Sequence, residues 1–248
     1  MIKNYYRPDT IDEAISLLIN PEDYTVPLGG GMVVSKIKDR ELSVIDLQNL
    51  PFAYSQLENN KFHLGATTKL ETLLTVPEIP GDLKTAIEHE CSFNLRQQAS
   101  LAGVLLTSDG RSPTACVFLA LNGELDWLPS HTTQSLEEYF ESRRKSDALI
   151  MEIVFERPVS INYDFVARTP FDQPIIQVAS VRWVSGRTRL VVGGWGQAPK
   201  VAYDSQNGGN METGLQMALN QSGDEWASKD YRVDAARQLI NRFPVFST

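Results

Sequence analysis

The hydrophobic and polar positions fall into three consecutive segments with different patterns. In the first, Thr10-Ile11-Asp12-Glu13 reads as a capping box before an apolar stripe at Ile11, Ala14, Ile15, Leu17 and Leu18. That predicts a helix closed by Asn20-Pro21. Tyr24 to Leu28 follows as a short strand running straight into Gly29-Gly30-Gly31, with a helical start from Met32 to Ile37 and a strand from Leu42 to Leu47 behind it. The order helix, strand, glycine loop, short helix, strand predicts a small α/β unit.

The second segment starts near Phe62 with His63-Leu64-Gly65-Ala66 and a further capping box from Thr68 to Glu71. A helix from Leu83 to Cys91, an apolar run from Ala115 to Leu121 ended by Asn122-Gly123, a helix from Leu136 to Arg144 and a strand from Leu149 to Phe155 follow, with a boundary at Pro158. In the third segment Ile175, Gln177, Ala179, Val181 and Trp183 alternate. A Ser185-Gly186 turn and a strand from Thr188 to Val192 complete an antiparallel hairpin or meander with one buried face. A glycine-rich loop at 205–210 separates it from helices at Met211–Leu219 and Arg232–Arg242.

Composition narrows the function. Net charge is −8 over 248 residues, which argues against nucleic acid or an anionic membrane as partner. No apolar run approaches the ~20 residues of a membrane span, and the first residues lack the apolar core of a signal peptide, so a cytoplasmic protein is expected. Cys91 and Cys116 read as reduced, buried thiols, too few to hold an iron–sulfur cluster. His63, His89 and His131 are scattered, and no metal site is predicted. No nucleophile elbow occurs, and Glu137, Glu138 and Glu141 beside Arg143, Arg144 and Lys145 read as a solvated helix face. The chain offers no evident catalytic acid or base.

The sharpest local feature is Gly29-Gly30-Gly31 between a strand and a helical start. Consecutive glycines let a backbone approach a ligand closely with its N–H groups turned outward, as a phosphate or pyrophosphate requires. A plain tight turn fits the spacing equally well. The pattern is neither a dinucleotide fingerprint nor a P-loop. Ser100-Leu101-Ala102-Gly103 is a second stretch of small residues with a hydroxyl donor, where tight internal packing is the alternative.

Taken in order, Tyr6-Arg7-Pro8, Thr10 to Ala14, Leu28 to Gly31, Val44 to Leu47, Leu64 to Thr68, Leu95 to Gly103, Leu119 to Gly123, Phe171 to Pro174, Val192 to Gly196 and Tyr231-Arg232 resemble the FAD-binding medium subunit of molybdenum hydroxylases, the xanthine dehydrogenase and carbon monoxide dehydrogenase family. The resemblance implies an α+β fold. Two N-terminal α/β subdomains (1–57 and 58–158) would form an FAD-binding clamp, followed by a C-terminal domain (159–248) with a three-stranded antiparallel sheet and helices. It implies FAD held by Leu28, Gly29, Gly30, Gly31, Met32 and Val33 in one loop and Ser100, Leu101, Ala102 and Gly103 in the other, with Ile150 as an apolar contact to the ring.

The implied partners are a molybdenum-cofactor large subunit and a 2Fe-2S small subunit. Electrons would pass from iron–sulfur clusters to FAD and on to NAD or another acceptor. Both loops depart from the family's usual wording. Gly31 stands for a threonine, Met32 for a polar residue and Val104 for an asparagine; Pro113 takes the place of an aspartate, with Asp109 nearby, and Arg168 is the basic residue nearest the family's lysine. These departures motivate two further readings: a relative of the same fold that has lost FAD and serves as a scaffold, or a module binding another nucleotide or small molecule.

Overall fold

The structure, a computed structural model, describes residues 2–20, 24–31, 41–143 and 147–244. In chain order the elements are β1 (Ile2–Tyr6), α1 (Ile11–Leu18), β2 (Thr25–Leu28), β3 (Leu42–Asp46), β4 (Ser55–Glu58), β5 (Lys61–Gly65), α2 (Leu70–Thr75) and α3 (Gly81–Glu90). They continue with α4 (Phe93–Arg96), α5 (Leu101–Thr107), α6 (Pro113–Ala120), β6 (Glu124–Leu128), β7 (Thr132–Ser135), α7 (Leu136–Ser142) and β8 (Leu149–Glu156). The last are β9 (Ser160–Val166), β10 (Ile176–Arg182), β11 (Thr188–Gly193), β12 (Lys200–Asp204), α8 (Met211–Ala218) and α9 (Lys229–Ile240). They form two compact units interleaved along the chain. One comprises Met1–Glu78, Ser92–Thr107 and Glu124–Phe155; the other comprises Ile79–Cys91, Ser108–Gly123 and Glu156–Thr248.

The first unit holds two sheets. A parallel sheet in the order β1-β3-β2 has the fully buried β3 at its centre, and α1 packs on it. Strand β1 is an addition to the predicted α/β order. Its Ile2 and Tyr5 are exposed, so it carries no apolar period, and polar bonds fasten it instead: Asn4 Nδ2 donates to Ser43 Oγ at 3.1 Å, and the Tyr5 hydroxyl donates to Asp46. Thr10 caps α1 as predicted, accepting from Glu13 N, while the Glu13 carboxylate reaches one residue further back to Asp9 N. The five-stranded sheet runs β4-β5-β8-β6-β7. Thr68 does not cap the next helix. Its hydroxyl is drawn to the Tyr54 backbone, and Lys69 takes the cap position of α2 without a side-chain bond to the helix's first turn.

The second unit is an antiparallel sheet in the order β12-β11-β10-β9, four strands where three were expected, because 160–166 pairs with β10 along its whole length. Both faces of this sheet are covered, not one. Ile176, Val178, Leu190 and Val192 pack with Leu215, Val233, Ala236, Leu239 and Phe243 of the α8–α9 layer and its continuation. On the other side α6 lies against β10 and β11 and also packs on α3. Every residue of α6 is buried, which is why its sequence is an unbroken apolar run with no helical period.

Candidate cofactor site

All described residues of the site belong to the first unit. Strand β2 ends at Leu28, held in parallel register against Asp46 of β3, with Leu47 N donating to Leu28 O at 3.2 Å. Gly29-Gly30-Gly31 leave the strand there and meet the segment 98–100 that leads into α5. A Cβ on Gly30 would stand 2.0 Å from Gln98 O, and one on Gly29 would stand 2.5 Å from Ser100 Oγ. Either position filled by a side chain would drive the two loops apart. Gly31 is constrained by its backbone instead: its φ is +78°, and an added Cβ would meet only Leu28 Cδ1, at 3.5 Å. Gly103 keeps its Cβ space for Ser100 Oγ, 2.7 Å away. Close approach is therefore satisfied first between the loops themselves.

Backbone donors sort these residues further. The N–H groups of Gly29, Gly30, Gly31 and Ser100, and the Ser100 hydroxyl, make no hydrogen bond to any described residue. Leu101 N, by contrast, donates to Thr68 O at 2.9 Å, and Ala102 N to Ala66 O at 3.1 Å, so these two spend their donors on the protein. Leu101 is completely buried and Ala102 nearly so. Met32 and Val33 lie outside the described residues. Ile150 sits in β8 opposite Trp127 and is almost wholly buried; beside it, Met151 O accepts from Ala66 N at 2.9 Å.

One residue of the site was not singled out from the sequence. Lys69 Nζ donates to Gly29 O at 2.6 Å and to Gln98 O at 3.0 Å, joining both loops through one ammonium. An isolated bridge pairs Lys69 with Ser100, flanked by Leu70 N to Ala99 O at 3.0 Å. Burial lowers the pKa of Lys69, and the charge of Asp46 opposes that shift. The signal was its place directly after Gly65-Ala66-Thr67-Thr68, but its partners stand 40 and 29 residues away.

Elsewhere in this unit Glu152 accepts from the Tyr54 hydroxyl at 2.8 Å and lies 3.0 Å from His63 Nδ1; burial, reinforced by Glu152, pushes the Tyr54 phenol far above its usual pKa. In the second unit Asp109 accepts from Arg111 N, Pro113 opens α6 behind the Ser112 cap, and Arg168 lies over the Trp226 ring. Cys91 and Cys116 are both free thiols, the latter buried. Among the described residues no cluster of His, Cys, Asp or Glu could hold a metal ion. No helix among them is long and apolar enough to cross a membrane.

Residues 1–156 match the family described as the FAD binding domain in molybdopterin dehydrogenase. The chain belongs to this family. It is 28% identical over 160 residues to the uncharacterized protein YgfM of Escherichia coli (strain K12), a match spanning 64% of this chain and 61% of that relative's length. Quinoline 2-oxidoreductase from Pseudomonas putida 86 superposes with a TM-score of 0.79 at 16% identity, covering 95% of this chain and 93% of that one. A carbon monoxide dehydrogenase from Hydrogenophaga pseudoflava superposes at 0.78 with 18% identity, covering 96% and 94%. These two likenesses show a shared fold.

As a member of the FAD-binding family the chain takes FAD as its cofactor. The residues present fit that group at its pyrophosphate. The two loops bring unbonded N–H groups and a hydroxyl together beside a cation, and neither loop carries a carboxylate.

Proposed function

We propose that this chain is the FAD-carrying electron-transfer subunit of a molybdenum hydroxylase-type oxidoreductase. A large subunit with a molybdenum cofactor and a small subunit with 2Fe-2S clusters would deliver electrons, and NAD or another acceptor would receive them. When bound, FAD supplies a carrier that can take up and release electrons, and the protein's task is to hold and tune it. Gly29, Gly30, Gly31 and Ser100 offer the pyrophosphate their N–H groups, with the Ser100 hydroxyl assisting. Leu101, Ala102 and Gly103 keep the second loop close and small, Ile150 packs toward the ring, and Met32 and Val33, outside the described residues, belong to the proposal by sequence alone. Residues 1–57 and 58–158 form the clamp, and 159–248 make up the C-terminal domain.

The observation that carries this reading is the convergence of two small-residue loops whose backbone donors at Gly29, Gly30, Gly31 and Ser100 have no partner among the described residues. Purification from its source cells at native abundance, with metal analysis, tests the assembly. Co-elution with two further chains, molybdenum and iron is expected. A flavoprotein that elutes alone and free of both metals would contradict the electron-transfer assignment while leaving FAD binding in place.

A further inference from the structure

The ammonium of Lys69 bonds two carbonyls and has no carboxylate partner among the described residues. Asp46, whose charge acts on it, is already engaged by the Tyr5 hydroxyl and by Gln48 N at 3.0 Å. A half-buried, unpaired cation is costly, so its position needs a reason. The two carbonyls supply one. In a trans peptide the C=O and the next N–H point in opposite directions. Fixing Gly29 O on the lysine side turns the Gly30 N–H to the opposite side, while on the other loop Ala99 N is spent on Leu95 O at 2.8 Å and the bond to Gln98 O fixes only where that loop sits.

We propose that Lys69 is a positioning residue for the cofactor pyrophosphate: it clamps the carbonyl edges of both loops so that the glycine-loop donors are presented outward as one preformed cradle. This inference rests on the FAD reading above. Lys69 acts through the backbone and does not itself touch the ligand. It compensates for the loop side chains in which this chain departs from its family, because a cradle built from backbone alone depends on being held in one shape. A lysine suits the task better than a neutral residue, since three donors on one atom can serve two carbonyls and carry positive charge next to an anion site.

The test uses the full chain and three forms: wild type, Lys69→Met and Lys69→Arg. Titration with FAD, followed by flavin fluorescence, is expected to show Lys69→Met weakened by about tenfold or more, the loss typical of charge-assisted hydrogen bonds. Lys69→Arg, which retains charge and several donors, should recover most of that loss. A second readout needs no flavin: hydrogen exchange at the Leu70 and Leu101 amides, which bond across the Lys69–Ser100 bridge on either side of the clamp. Lys69→Met should exchange faster there, while its melting temperature stays close to wild type. Unchanged FAD affinity with unchanged exchange would overturn the proposal, as would Lys69→Arg binding as poorly as Lys69→Met. If wild type takes up no FAD, the cofactor reading fails, and the clamp stands or falls on the exchange measurement alone.

Discussion

Gly30 lies against the carbonyl of Gln98 so closely that a Cβ would come within 2.0 Å of its oxygen and 2.9 Å of its carbon. Backbone cannot yield as the tip of a side chain can. Gly30→Ala is therefore expected to push the loops apart, costing about 1–3 kcal/mol of stability as overpacking does. FAD affinity should fall by about tenfold or more, because the outward donors lose their common geometry. Urea unfolding and FAD titration of the purified variant check this together.

Gly31 gives the contrasting case. Its φ of +78° is the constraint, and the space beside it is open. Asn tolerates that conformation better than other side chains, so Gly31→Asn should stay within about 1 kcal/mol of wild type and keep most of its FAD affinity. Equal damage from Gly30→Ala and Gly31→Asn would contradict the separate causes assigned to the two glycines.

Glu90 closes α3 with its carboxylate turned inward, accepting from Ser112 Oγ at 2.7 Å and from Thr114 N at 2.9 Å. Burial raises its pKa, and those two bonds only partly oppose the rise. A folded-state pKa above the unfolded one means that its stabilising contribution is full below the unfolded value and lost as pH rises through the folded value. Glu90→Gln keeps an acceptor without the charge. Its stability relative to wild type should increase from acid to neutral pH, measured as urea midpoints across that range. A difference that does not change with pH would contradict the assignment.

Arg232 on α9 is fully buried and donates to Ile175 O at 2.8 Å, Gly194 O at 3.4 Å, Ser222 O and Asp224 Oδ1 at 2.8 Å. It joins the strand-end segments of the second unit to the helix, and the carbonyls of Ile175, Gly194 and Ser222 that it serves belong to buried residues. Arg232→Met should cost about 3 kcal/mol or more, since it orphans the buried carbonyls of Ile175, Gly194 and Ser222. Chemical denaturation that shows a loss under about 1 kcal/mol would count against this role.

Much of this fold was legible where one residue's environment sets its type. The alternation from Ile175 to Trp183 and the Ser185-Gly186 turn marked β10 and β11, and the two small-residue stretches marked the loops that meet. Other features depended on partners far along the chain. Both parities of β10 are buried, so alternation there does not separate inside from outside. Gln177 passes as an inward residue because its amide donates to Gly110 O at 3.1 Å and Ser112 O at 3.2 Å, and its oxygen accepts from Tyr163. Strand β1 left no apolar trace because its outward side chains are exposed and its fastening is polar. Lys69 looked like any surface lysine before a helix; only the folded chain brings Gly29 and Gln98 to it.

Whether the paired loops hold FAD is decided by titrating the purified protein with FAD, followed by visible absorbance and calorimetry. The expected result is either flavin already bound on purification or uptake of one FAD per chain with a micromolar or tighter Kd, abolished or sharply weakened by Gly30→Ala. A colourless protein that takes up no FAD at high concentration, and whose behaviour Gly30→Ala leaves unchanged, would contradict it.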